Sequence, residues 1–299
     1  MTAASTAAAL GGNRSARRRR RLTIVLLLGP ALVIVGGALL IPSLNLLVQS
    51  FAQSLGYGQI SYHFTLSNYT SALTDPLYRS LALRSFGLGA VTGVACLVLA
   101  YPVAFYVSFR LKRGRNLALY LVVLSLFASY LVRLYAWYTV LGTRGMINGA
   151  LMSLGIVDQP ISILLFNRFS LFIAFVNIFL PFSILMLTST MQNIPREVID
   201  SAHDLGAGPV RAFTRVVLPL TMTGLIGAFA YTFILTSGDY ITPALLGGAS
   251  ANTALANTIT DQFTNLGNPP GGAAISFVML VVFFVVYYAV GQLERFKGI

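Results

Sequence analysis

Few residues of this 299-residue chain could do chemistry, and their types point away from covalent catalysis. The single cysteine, Cys96, lies in an apolar stretch. It excludes an intrachain disulfide and a metal site built on cysteines, and reads as a small buried residue. His63 and His203 stand 140 positions apart, with no metal partner at motif spacing. A phosphate-cradling loop requires Gly-Lys followed by Ser or Thr. Lys112 is followed by Arg113 and Lys297 by Gly298, so the sequence holds no such nucleotide site. No catalytic triad is apparent, and non-covalent recognition remains. Asp239 stands beside Tyr240, and Arg133 is followed by Tyr135, Trp137 and Tyr138. Aromatic faces hold cations through the ring quadrupole, and a carboxylate adds charge complementarity. The same aromatics equally suit anchoring at a membrane interface. Arg133 would repel a cation, so pairing with Asp239, snorkelling, or a structural or gating role suits it better.

The elements that must position these residues are membrane helices. The chain is 56% hydrophobic and only 9% charged, with a mean hydropathy of +0.78. Soluble domains carry roughly 25% charged residues. A bilayer core needs about 20 apolar residues per helix. Six stretches qualify: 22–51, 81–109, 117–141, 169–190, 220–236 and 273–293. The first follows a basic run as a signal peptide would, but its apolar run is too long for one, so it reads as an anchor helix. The remaining division is a basic, disordered tail over 1–21, an outward segment over 52–80, a core over 81–293 and a short C-terminus over 294–299. Pro102 and Pro181 interrupt the second and fourth spans, where prolines kink membrane helices. Gly89 and Gly93 give the second span a small-xxx-small spacing for close contact with another helix, internal or on a second subunit.

The net charge of +12 could suggest nucleic acid, but its distribution argues for topology. Fifteen of the twenty Lys/Arg fall in the N-terminal tail, 110–115, 196–219 and the C-terminus. Basic residues mark cytoplasmic loops, so both termini and the 196–219 segment are expected in the cytoplasm. An even number of spans requires the same. Only Arg79, Arg84, Arg133, Arg144 and Arg168 lie elsewhere.

The polar island 195–219 has a readable local structure. Pro195 can open a helix. Glu197 and Asp200 then sit near its N-terminus, where the helix dipole favours negative charge. Gly206 suits a helix stop at positive φ. Gly208-Pro209 reads as a second start, with Arg211 and Arg215 four apart on one face. Two short helices with a sharp bend are expected.

Asp200-Ser201-Ala202 is followed four residues later by Gly206, then by Val216, and then by Leu218-Pro219. This spacing resembles the EAA loop of permease subunits of bacterial ATP-binding-cassette importers: Glu-Ala-Ala, three residues, Gly, nine residues, Ile, one residue, Leu-Pro. The departures are Asp200 for Glu, Ser201 for Ala and Val216 for Ile. Residues 131–137, 141–148 and 237–248 look like segments of the polyamine-type (spermidine/putrescine) permeases. The likeness covers about residues 80–293. It implies an all-α membrane protein of six spans with the type I importer (MetI-like) fold, in a bacterial inner membrane. It also implies that Glu197, Asp200, Ser201, Ala202, Gly206, Val216, Leu218 and Pro219 couple to an ATPase.

The implied partners are two ATP-binding subunits carrying ATP and magnesium, a second permease, and a periplasmic or lipid-anchored binding protein. The chain itself needs no cofactor and is not an enzyme. The implied cargo is a polyamine, with opines, other small amines or ferric iron as alternatives. The substrate path or gate would use Arg133, Tyr135, Trp137, Tyr138, Asp239 and Tyr240. An ion-coupled transporter is the rival class. It would need intramembrane carboxylates, and none of the eight acidic residues lies firmly mid-span.

Overall fold

A computed structural model describes residues 26, 29–111, 113–248 and 254–296. The expected basic tail, the first residues of the first span, Lys112 and Lys297 lie outside the described residues.

The first long helix, α1 (Gly29–Ser50), is apolar and packs little of its surface against the rest of the chain. A hairpin of β1 (Gln53–Gly56) and β2 (Gln59–Ser61) follows. Its turn runs through Gly56, Tyr57 and Gly58, all at positive φ, the conformation Gly supplies at no steric cost. Asn68 ties this elbow together by donating to the carbonyls of Ser50 and Ala52, at 3.0 and 2.7 Å. Asn68 belongs to α2 (Ser67–Thr74). The second span, α3 (Pro76–Phe105), starts five residues before the expected position. The reason is local: the Asp75 side chain accepts from the Leu77 N–H, and Pro76 occupies the first turn.

The third span departs most from expectation. Instead of one continuous helix over 117–141, it is α4 (Arg115–Leu126) and α5 (Tyr130–Leu141), with a break between them. With the short α6 (Met146–Ser153), the two halves meet at 85°. Twelve residues rise only about 18 Å, too little for a bilayer core of about 30 Å. The outward segment after α5 is pinned by buried Asn148, which bonds the Gly142 carbonyl and both the N–H and C=O of Ile161.

The fourth span, α7 (Arg168–Gln192), is begun by an Asn167–Ser170 capping box. The polar island forms α8 (Arg196–Asp204), α9 (Pro209–Ala212) and α10 (Leu218–Leu220). The fifth span, α11 (Met222–Gly238), leaves α10 at a 61° bend. Then come α12 (Ile241–Leu246), α13 (Leu255–Thr264) and the last span, α14 (Pro269–Phe296). Among the described residues, four helices are long and apolar enough to cross a membrane, and six spans result if each bent pair counts as one.

The centre is α3 packed against α7 and α11. One core cluster is built around Leu134, Phe175 and Leu246. A second, around Ala100, Leu187 and Met191, lies toward the polar island. The small residues of α3 explain the close approach. A Cβ on Gly89 would overlap Ser237 Oγ and reach within 3.0 Å of the Phe233 carbonyl, and one on Gly93 would lie 2.9 Å from the Phe229 ring. The small-xxx-small contact is therefore internal, α3 on α11. Gly87 faces open space. Gly89→Val should lower thermal stability by overpacking, about 1–3 kcal/mol. Gly87→Val should leave the melting temperature of the purified protein unchanged. Equal melting curves for the two variants would contradict this packing.

Candidate functional site

The polar island adopts the bent pair of helices that its prolines and glycines dictate. Glu197 stands in the first turn of α8, and both Glu197 and Asp200 are exposed. Ser201 is exposed and donates from Oγ back to the Glu197 carbonyl at 2.7 Å. The helix stops where Gly206 takes φ +80°. The Ala207 N–H then folds back to the Ala202 carbonyl at 2.9 Å, the six-to-one bond of a Schellman stop. Pro209 opens α9, as its fixed φ favours. Pro219 has no N–H to give, and the turn before it widens: the Leu218 N–H bonds the Phe213 carbonyl across a π turn, Phe213–Val217.

Two large apolar side chains in this segment face outward. Leu205 is 89% exposed and Val210 is 74% exposed. Val216, Leu218 and Pro219 are half-buried, and the neighbouring Val217 is the buried one.

The connection from this segment to the membrane core was not foreseen from sequence. Phe213 packs edge-on against Tyr101 and Phe105 of α3, with ring centres 5.6 and 5.9 Å apart. Phe105 in turn touches Phe109, at 5.1 Å. Thr221, fully buried at the α10–α11 bend, lies 3.0 Å from the Tyr101 hydroxyl and reaches the carbonyls of Val217 and Leu218. Asp200 lines a cleft of about 340 Å³ with Phe109, Arg110 and Phe213. Packed rings and one hydroxyl pair thus join this segment to α3 and α11.

At the other end of α11 the structure gathers a second polar group. Asp239 ends α11, and its carboxylate accepts from the Ile241 N–H at 2.8 Å and from the Thr242 hydroxyl. It also accepts from the Tyr130 hydroxyl, 109 positions away on the first turn of α5. Tyr130 and Thr242 are themselves 2.6 Å apart. These partners are not the aromatics that the sequence suggested. Tyr135, Tyr138 and Tyr240 are roughly half exposed, Tyr138 lies edge-on to Phe166 at 6.0 Å, and Trp137 packs on the core cluster of Leu134 and Phe175. Only residue separation concealed Tyr130.

Among the described residues Arg133 does not pair with Asp239. Its guanidinium donates to the carbonyls of Ser125 and Ala128, and more weakly to that of Ile178 at 3.5 Å. The first two are carbonyls that the break between α4 and α5 leaves without helical partners. Inside a bilayer such groups must be satisfied by the protein. Arg133 also borders a cleft of about 350 Å³ with Asn177 and Pro181, the irregular stretch of α7.

The family described as binding-protein-dependent transport system inner membrane component matches residues 2–297. The spermidine/putrescine transport system permease protein PotB of Escherichia coli (strain K12) is 33% identical over 272 residues, covering 89% of this chain and 98% of that protein. PotB of Haemophilus influenzae is 34% identical, over 87% of this chain and 91% of its own. Among solved structures, a bacterial ABC transporter involved in the import of the acidic polysaccharide alginate superposes with TM-score 0.74 at 13% identity, over 95% of this chain and all of that chain. The MetNI methionine ABC transporter in an inward-facing form superposes with TM-score 0.57 at 16% identity, over 75% of this chain and 98% of that one. The chain thus belongs to the family of binding-protein-dependent transport system inner membrane components.

Proposed function

We propose that this chain is one permease subunit of an ATP-driven importer of polyamines. The observation that carries the class is the 195–219 segment: an exposed, sharply bent helix pair whose far side is seated on α3 through Phe213. The substrate reading rests on the PotB relatives, at 33–34% identity over most of both chains. Both termini and the segment face the cytoplasm, in keeping with the distribution of basic residues.

In this reading two partner ATPase subunits bind ATP and magnesium, and one of them grips the exposed side of α8 and the turn into α9, with Glu197, Asp200, Leu205 and Val210 at the contact. A similar but distinct permease completes the path. A loaded binding protein docks on the opposite side; one solved relative of this fold is a complex with a periplasmic protein. ATP closes the ATPase dimer and displaces α8. Gly206 keeps the bend fixed, so the displacement passes to Phe213 and thence to α3 and α11. Tyr130, Asp239 and Thr242 form a latch at the far end of α11, joining it to α5 and α12. Rocking of the two permeases opens and closes this latch, giving alternating access. A passing ammonium group can replace the hydroxyls on Asp239, and the exposed faces of Tyr135, Tyr138 and Tyr240 suit the same cation. Trp137 and Arg133 hold the scaffold around them.

Uptake of labelled spermidine and putrescine into proteoliposomes holding the assembled complex tests the reading. Uptake should require ATP and the binding protein. Gly206→Pro cannot adopt φ +80° and should lower uptake by about tenfold or more while the ATPase still copurifies. ATP turnover stimulated by the binding protein without polyamine uptake would discard the substrate. Uptake indifferent to ATP would discard the class. Tyr130→Phe removes one latch hydroxyl, worth about 1 kcal/mol, and should raise the ATP consumed per polyamine imported about fivefold. An unchanged ratio would remove the latch from the mechanism.

A further inference from the structure

Phe166 holds a backbone conformation that its side chain disfavours. It takes φ +62°, and a bulky residue in the left-handed region is uncommon and costly. Such strain persists where the surroundings fix it, and it gathers at functional sites. The surroundings here are tight. A Cβ on Gly248, the second residue after α12, would fall 2.7 Å from the Phe166 Cβ and 3.1 Å from its carbonyl oxygen. A side chain at 248 would therefore displace Phe166. On either side of Phe166 the chain is anchored inward. Leu165 is buried in the cluster of Leu134 and Leu246, and Asn167 caps α7. Ser170 clamps the two elements by donating to the Leu246 carbonyl at 3.0 Å. Between these anchors the Phe166 ring is left 48% exposed.

The neighbour of that ring is Tyr138 of α5, edge-on at 6.0 Å and 42% exposed. Two half-exposed rings at this spacing can share one cation. Tyr138 stands eight residues along α5 from Tyr130, the residue that bonds Asp239. Eight helical residues rise about 12 Å. The short helix α12 packs on α5; Asp239 stands just before it, and Gly248, against Phe166, just after it. Its six residues rise about 9 Å. The carboxylate and the ring pair thus lie at the two ends of one α5–α12 unit, on the order of 10 Å apart.

We infer that the Phe166–Tyr138 pair is a second ammonium site, taking one end of an extended polyamine while Asp239 holds the other. The inference rests on the polyamine reading above and adds a length rule to it. A cargo held at both ends must span the gap. Nine bonds between terminal nitrogens reach about 11 Å, and five bonds only about 6 Å, at about 1.2 Å per bond of an extended chain. The unit therefore favours long amines over short ones. The strain at Phe166 has a use in this arrangement: a ring already aimed loses little freedom when the cation arrives.

Uptake of labelled diaminobutane and diaminooctane by the reconstituted complex tests it, each supplied at a concentration that saturates the same binding protein. Differences between variants then belong to the permease. Phe166→Leu keeps apolar bulk and the same strained backbone but loses the ring. It should lower diaminooctane imported per ATP about fivefold and leave diaminobutane within about twofold. Phe166→Tyr restores a ring and should restore the wild-type ratio of the two amines. Equal losses for both amines, or no loss in an assembled Phe166→Leu complex, would overturn the site; no loss would leave Phe166 an interface anchor only. Import of neither amine by wild type would overturn the polyamine reading itself, and the length rule with it. The strain is checked separately by melting. Phe166→Gly should melt about 2 °C or more above Phe166→Ala, since both lack the ring and only glycine takes positive φ freely. Glycine melting at or below alanine would remove the strain from the argument.

Discussion

Everything in this molecule follows from the rule that a backbone group in the bilayer must find its partner inside the protein. The chain breaks its helices at Phe127–Ser129, at Thr221 and at Asp239. Each break leaves carbonyls or N–H groups without helical partners, and at each a side chain supplies the bond. Arg133 takes the carbonyls of Ser125 and Ala128. Thr221 takes that of Leu218 and adds a second bond to that of Val217, which its own N–H already reaches. Asp239 takes the N–H of Ile241. The side chains that repair the breaks therefore decide where the helices can bend.

All three repairs also reach across to another span, Arg133 through its longer contact with the Ile178 carbonyl of α7. Thr221 meets Tyr101 of α3, and Asp239 meets Tyr130 of α5. The bend next to the 195–219 segment and the bend at the far end of α11 are thus both tied to neighbouring helices. Seventeen residues of α11 lie between them. Gly89 and Gly93 let α3 seat closely on α11. A rigid central pair with hinged ends is what alternating access requires of a permease.

Much of this was legible in the sequence, and the boundary is instructive. The shape of the 195–219 segment could be read because Gly206, Pro209 and Pro219 each force a backbone conformation. The starts of α3 and α14 were misplaced by a few residues because Pro76 and Pro269 begin helices within polar surroundings that hydropathy excludes from a span. The break in the third span left no trace, since Phe127-Ala128-Ser129 contains neither Gly nor Pro. Across that break Arg133 donates to the Ser125 and Ala128 carbonyls. The hairpin at 53–61 was missed although Gly56-Tyr57-Gly58 is a turn signal. Asp239 was picked out by its charge, but Tyr130 could not be, because nothing in sequence joins residues 109 positions apart. Phe213 was invisible for the same reason: an apolar residue in an amphipathic segment gives no sign of which distant ring it will meet.

The account stands most directly on Phe213 as the mechanical link between the 195–219 segment and α3. The decisive measurement is polyamine imported per ATP hydrolysed by the reconstituted complex, with wild type beside Phe213→Ala. The link predicts that the variant assembles and still hydrolyses ATP, while uptake per ATP falls about tenfold or more. An assembled Phe213→Ala complex with the wild-type ratio would contradict it.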